Sequence, residues 1–273
     1  MTLDRSGPES MRCRLCSGHL TETFRLKVLE KYDTQYLTCT DCKSLQTEPP
    51  HWLGEAYSIN LSDLDTGAVQ RNVENLIAAF ITCRLLNLTD VVDVGGGDGL
   101  FCRLMRDHGL NCFVSDQYAK PTYAQGFTVA NFKRPQLATA FEILEHFANP
   151  SKDLEAVFDL GADVVLVSTS IFDSQGSDWW YLGPESGQHV FFYSSQSLGW
   201  ISRKFDYTHF KSGGFVVFTR TGLVKSSKSN ILQFLLRSRL RRMLRAILAY
   251  LPTPGVWDDH LHIRQARKQR ADR

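Results

Sequence analysis

Nine consecutive residues, Val91-Val92-Asp93-Val94-Gly95-Gly96-Gly97-Asp98-Gly99, constrain this chain more than any other stretch. A β-branched run this short reads as a strand buried on both faces. The glycines behind it allow a tight turn whose backbone can approach a ligand at the N-terminus of a following helix, expected over 100–108. Strand, glycine loop and helix together predict a site for a nucleotide-like cofactor. The spacing Gly95-x-Gly97-x-Gly99 departs from the G-x-G-x-x-G of dinucleotide sites, so the neighbouring residues must decide which cofactor it is.

Around this loop the chain alternates strand and helix signals. Apolar residues recur with helical period over 71–88, and strands are expected at Cys112-Phe113-Val114, over 136–140 and over 163–167, with helices near 150–160 and 195–204. Such alternation implies a parallel sheet covered by helices. Two apolar runs, 207–210 and 215–220, flank Ser212-Gly213-Gly214 and predict a hairpin at the edge of the sheet. Asp116 ends the strand after the glycine loop, where a carboxylate can accept hydrogen bonds from two ribose hydroxyls.

The segment Phe141-Glu142-Ile143-Leu144-Glu145-His146-Phe147-Ala148-Asn149-Pro150 resembles the motif after the fourth strand of class I S-adenosylmethionine-dependent methyltransferases. With Asp93, the glycine loop and Asp116 in order, the resemblance spans roughly residues 70 to 220. It implies a Rossmann-like, mostly parallel seven-stranded sheet with helices on both faces. It also implies S-adenosylmethionine held by Asp93, Gly95, Gly96, Gly97, Gly99, Asp116 and Glu142. An activated sulfonium methyl needs alignment with its acceptor and removal of a proton, and no catalytic metal.

Cys13-x-x-Cys16 and Cys39-x-x-Cys42 can supply four thiolates to one tetrahedral zinc ion, although the 22 residues between the pairs slightly exceed the usual ribbon spacing. Four sulfurs close the coordination shell, so the metal is expected to be structural. The other cysteines, Cys83, Cys102 and Cys112, are scattered through apolar surroundings. A four-cysteine segment ahead of such a core resembles the sugar C-methyltransferases of deoxysugar biosynthesis and related methyltransferases of unassigned substrate. That resemblance implies a small-molecule acceptor, a nucleotide-linked sugar or glycan precursor. His189, in Gly187-Gln188-His189-Val190-Phe191-Phe192-Tyr193, is the leading candidate base because imidazole titrates near neutrality; His146, Tyr57 and Tyr193 are further candidates. The sugar enzymes carry Glu-His here, whereas this chain has Gln188-His189, which bears on carbon methylation of a ketosugar. Methylation of oxygen on another small metabolite, and a scaffold without catalysis, are the competing readings.

Three segments follow: a zinc module over 1–50, ending at Pro49-Pro50; a catalytic core over 51–224; and a tail over 225–273. The tail is expected to form one basic amphipathic helix over 230–251, then a frayed end over 264–273. Its apolar stripe is taken to pack on the core or a partner, with peripheral contact to an anionic membrane as the alternative. A net charge of +2 gives no reason to expect nucleic acid. No apolar run approaches the roughly 20 residues of a membrane span, and residues 1–9 lack the apolar stretch of a secretion signal, so a cytoplasmic location is expected.

Overall fold

A computed structural model describes residues 12–58, 65–128, 134–248 and 250–271. The polar start of the chain and the last two residues lie outside them. The chain divides into two compact units. One comprises Met1–Leu61, Leu144–Glu155 and Ser170–Lys204; the other comprises Ser62–Ile143, Ala156–Thr169 and Phe205–Arg273.

The larger unit is built on a six-stranded sheet. Its strands are β4 (Asp90–Val94), β5 (Asn111–Ser115), β6 (Leu137–Phe141), β7 (Val164–Ser168), β9 (Tyr207–Ser212) and β10 (Phe215–Arg220), in the order β5-β4-β6-β7-β10-β9. β5, β4, β6 and β7 run parallel, while β10 is antiparallel to both β7 and β9. The sheet is therefore mixed and six-stranded among the described residues, which corrects the expectation of a mostly parallel seven-stranded one. Outside β5, Thr128 makes only a single parallel bridge to Val114. The hairpin fixes the antiparallel edge: its two-residue turn needs positive φ at both centres, and Gly213 and Gly214 supply +56° and +89°.

Helix α2 (Ala68–Leu86) buries Leu76, Ile77, Ala79 and Cys83 and stops at Asn87, a residue that tolerates the left-handed conformation it adopts there, φ 59°. Helix α3 (Leu100–Asp107) buries Phe101, Cys102 and Met105.

The tail differs from expectation. It forms α6 (Ser226–Leu235), α7 (Ser238–Leu248) and α8 (Pro254–Ala271) rather than one helix and a frayed end. The break at Leu236-Arg237 is held by Arg241, which donates to the carbonyls of Leu236 (2.9 Å) and Gly213 (2.7 Å). The final helix is fastened by Asp259, whose carboxylate accepts from Arg106 at 2.7 Å and pairs with Arg103 at 2.8 Å.

The smaller unit contains an antiparallel sheet that the sequence did not announce. β1 (Leu20–Val28), β2 (Tyr32–Cys39), β3 (Leu45–Thr47) and β8 (Phe191–Phe192) lie in that order. Tyr36, Leu45, Trp52, Tyr181, Leu182 and Phe192 form its core. Its helices include the short α1 (Leu53–Ala56) and α5 (Ser195–Phe205).

At Gly255, where α8 begins, an added Cβ would lie 1.7 Å from the backbone carbonyl oxygen of Arg106. Backbone cannot step aside cheaply, so Gly255→Ala is expected to destabilise the chain by about 1–3 kcal/mol. Gly54→Ala, with nothing within 4 Å of its added methyl, should stay within about 1 kcal/mol of the natural chain. Thermal unfolding of both variants checks the contrast.

Candidate active site

β4 carries Asp93 into the middle of the sheet, where it is 3% exposed. Thr139 on the neighbouring β6 donates to its Oδ1 at 2.9 Å, while Oδ2 has no hydrogen-bond partner among the described residues. Burial raises the carboxyl to about 7, against the opposing Thr139 bond and with help from Asp116 and Asp98. The glycines shape the loop around this group. At Gly96 an added Cβ would come within 2.3 Å of Asp93 Oδ2, and at Gly95 within 2.7 Å of the Ile143 side chain. Gly97 has φ +55° and open space where a Cβ would be; Gly99, φ +82°, caps α3 and faces Pro121 and Ala124.

Asp116 follows β5. Its Oδ2 accepts the Gly97 N–H at 2.9 Å, and its Oδ1 accepts from Tyr118 (2.8 Å) and Ala119 (2.7 Å). It thus ties the glycine loop to the turn after β5; Oδ1 already accepts two donors, while Oδ2 accepts one and keeps lone-pair capacity for another. Glu142, just past β6, sits at φ 52°, with its Oε1 accepting from the Ser168 hydroxyl at 2.5 Å. Thr139 and Ser168 were missed by sequence reasoning, since isolated hydroxyls in apolar strands carry no pattern.

The proposed proton-handling residues fall in the smaller unit. His189 Nδ1 lies 2.6 Å from the Tyr181 carbonyl oxygen. A carbonyl only accepts, so Nδ1 carries the proton and Nε2 of the neutral ring carries the lone pair. The His146 ring meets that of His189 edge to face with centroids 5.0 Å apart, and Tyr57 Oη lies 3.3 Å from His146 Nδ1. Burial, then the neighbouring His189, lowers His146 to about 3, which keeps its ring neutral. Tyr57, His146 and His189 are brought together. Tyr193 is not part of their described contacts: it is wholly buried, its ring meets Phe191 edge to face, and burial followed by Glu145 holds its phenol well above the ordinary range. Gln188 is buried too, with its amide donating to the Ala56 carbonyl at 3.0 Å.

Two side-chain groups in this unit have donor sets that could hold a metal ion. Cys13, Cys16, Cys39 and Cys42 bring their sulfurs within 4.8 Å of one another, with the Cys13–Cys42 and Cys16–Cys39 pairs at 3.6 Å. A tetrahedron with sulfur ~2.3 Å from zinc has edges of ~3.8 Å, so the cluster has nearly the size required. Glu145, His146 and His189 also place one ligand atom each within 4.8 Å. Trp180 is 79% exposed, whereas Tyr181 is buried and Trp179 packs on Phe172 and Phe192.

A family model described as a methyltransferase domain matches residues 67–212, a little over half of the chain. No curated protein sequence matches it. Among solved structures, the chain is similar to the 1,6-didemethyltoxoflavin-N1-methyltransferase of Burkholderia thailandensis: 15% identity, 66% of this chain, 96% of that one, TM-score 0.45. It is also similar to the magnesium protoporphyrin IX methyltransferase of Synechocystis PCC 6803, at 14% identity, 63% and 96% coverage and TM-score 0.44. For the methyltransferase domain of bacterial CtHen1 the values are 16%, 55%, 98% and 0.39.

Asp93 gives a pH test. A carboxyl raised on folding binds its proton more tightly in the folded chain. Its penalty is therefore absent below the unfolded value of about 4 and grows until the pH passes its folded value of about 7. Asp93→Asn cannot ionise, so it should gain stability relative to the natural chain across that window, by on the order of a few kcal/mol. Urea unfolding at both ends of the window measures the gain, and an unchanged difference would remove this account of the group.

Proposed function

The chain belongs to the methyltransferase-domain family, and we propose that it transfers the methyl group of S-adenosylmethionine to a small-molecule acceptor, a nucleotide-linked sugar or a related glycan precursor. The observation that carries the cofactor assignment is the buried carboxylate of Asp93, whose Oδ2 has no hydrogen-bond partner among the described residues, beside a glycine loop with open space at Gly97. A cationic cofactor suits a carboxyl that burial has pushed up, because a nearby positive charge would restore its ionised form. The residues fit the group: Asp93, Gly95, Gly96, Gly97 and Gly99 would hold its amino-acid part, Asp116 its ribose, and Glu142 would flank the adenine. When bound, S-adenosylmethionine supplies a methyl already activated by the sulfonium charge.

The chain's own residues then bind, orient and deprotonate. His189 is the base in this reading: the Tyr181 carbonyl accepts from Nδ1, which puts the ring's lone pair on Nε2. Tyr57 and His146 assist at the same cluster. The sugar acceptor is supported by the resemblance of the cysteine-led layout and by the exposed ring of Trp180, a face on which a sugar can stack. Gln188 favours an oxygen acceptor over carbon, since its amide is committed to the Ala56 carbonyl and supplies no second carboxylate.

Calorimetric titration with S-adenosylmethionine and S-adenosylhomocysteine should show micromolar binding that Gly97→Val abolishes. His189→Ala should keep the cofactor affinity within about twofold while methyl transfer falls by roughly 10²–10⁴-fold. No binding to the folded chain would favour the scaffold instead, and unchanged turnover in His189→Ala would remove its role as base.

We also assign the cysteine cluster to one structural zinc ion. Burial, with neighbouring sulfurs, raises the Cys16 thiol to about 12, and the bond to the Cys13 sulfur, followed by burial, raises Cys42 higher still; a bound cation would hold them as thiolates. Elemental analysis of chain purified under reducing conditions should find about one zinc, lost in Cys39→Ser. A metal-free, folded natural chain would refute the assignment.

A further inference from the structure

Helices α6 and α7 both pack on α2, and each turns only one stripe inward: Leu232 is buried from the first and Leu236 from the turn that ends it, Leu248 from the second, with Leu240 and Leu244 half-buried. The apolar part of each helix is wider than the stripe the core covers. Ile231 and Phe234 on α6 remain 48% and 54% exposed, and Met243 and Ile247 on α7 remain 68% and 56% exposed. Met243 and Ile247, four residues apart, form a second apolar row beside the inward row of Leu240, Leu244 and Leu248. Arg239, Arg242 and Arg245, at every third position, occupy the next face and are exposed.

Charge says what covers this surface. From Gly222 to Trp257 the chain has seven Lys and Arg and no Asp or Glu. Arg241 alone among them is buried, fastening α7 to the hairpin and to Glu74. The Arg237 guanidinium lies over the Phe234 ring at 5.1 Å, so cation and apolar group are presented together. A second copy would bring one cationic face onto another, which opposes self-association. Nucleic acid would use the arginines and leave Ile231, Met243 and Ile247 without a role. An anionic bilayer uses both, its headgroups meeting the arginines and its acyl boundary receiving the apolar rows.

We propose that the outward faces of α6 and α7 form a docking surface for an anionic lipid bilayer. No helix among the described residues is long and apolar enough to cross a membrane, so the contact is peripheral. This surface lies outside every residue assigned to cofactor, metal or base, and the proposal stands or falls independently of the methylation reading.

The test is co-sedimentation of the full chain with vesicles of phosphatidylcholine alone and with vesicles in which a third of the lipid is phosphatidylglycerol. Binding is expected only to the anionic vesicles, weakening at high salt. Arg239→Gln/Arg242→Gln/Arg245→Gln should lower the affinity on the order of a hundredfold, given the contribution of each basic residue near such a surface. Phe234→Ser/Met243→Ser/Ile247→Ser should lower it at least tenfold, and circular dichroism should show both variants folded because every altered side chain is exposed. Absence of binding, equal binding to neutral vesicles, or anionic binding unaffected by the apolar variant would overturn the proposal. So would a dimer in sedimentation that the apolar variant dissolves, which would place the surface between copies of this chain.

Discussion

A carboxylate buried in the middle of a sheet is the constraint from which the larger unit's site follows. Asp93 is surrounded by parallel strands and receives one hydroxyl, from Thr139. The next residues must leave room for it, and Gly96 does so because a side chain there would overlap Asp93 Oδ2. Gly95 must clear Ile143, and Gly99 must clear Pro121 and Ala124. What remains is a loop unshielded by side chains at the start of α3, in which the N–H groups of Gly95, Gly97 and Gly99 are engaged by the Ser115 carbonyl, Asp116 and the Gly96 carbonyl. Charge burial and cofactor capacity are therefore one arrangement: the absence of side chains that lets the carboxylate stay also keeps the loop open to a ligand.

The elements legible in the sequence are those whose signal is local. β4, β6 and β7 read as strands because burial on both faces gives short, largely apolar runs, the edge strand β5 reads from Cys112-Phe113-Val114 alone, and α2 reads as a helix because its period persists over five turns. The β9–β10 hairpin is announced by two glycines at the positions that need positive φ. Strand order is not local, and the antiparallel insertion of β10 between β7 and β9 has no signature in either strand. The break between α6 and α7 was also hidden, because leucines continue with helical spacing through it. It depends on Gly213, far back in the chain, where a Cβ would lie 2.2 Å from the Leu236 carbonyl oxygen, and on Arg241 holding that carbonyl.

The smaller unit was less legible for a related reason. β1 and β2 are partly exposed and β3 and β8 have three and two residues, too short for period to speak. β3 finds its partner β8 nearly 150 residues later. Residue type marked the four cysteines, His146, His189 and Tyr57 as chemistry-bearing, but not their partners: the Tyr181 carbonyl that sets the His189 tautomer is backbone, invisible to any motif. Tyr193 is close to His189 in sequence, four residues on, yet wholly buried with its ring edge to face with Phe191.

These partnerships connect the cysteine cluster to the histidines through short covalent and hydrogen-bonded paths within one unit. Arg14, inside the first cysteine pair, donates to the carbonyls of Val190 (2.6 Å), one residue after His189, and Ala148 (3.0 Å), two residues after His146. Burial lowers its guanidinium to about 10, which still leaves it charged at neutral pH. Ser194 donates to the Cys42 carbonyl, and the Val190 N–H donates to the Glu145 carbonyl at 2.8 Å. The backbone that follows His189 is thus pinned to both cysteine knuckles, at Val190 by Arg14 and at Ser194 by the Cys42 carbonyl, and the segment carrying His146 is pinned to the same frame. The rings themselves meet other groups, His189 the Tyr181 carbonyl and His146 the Tyr57 hydroxyl, so the knuckles fix the backbone that carries the imidazoles rather than the imidazoles directly. The long spacing between the cysteine pairs is the length of chain that β1 and most of β2 occupy.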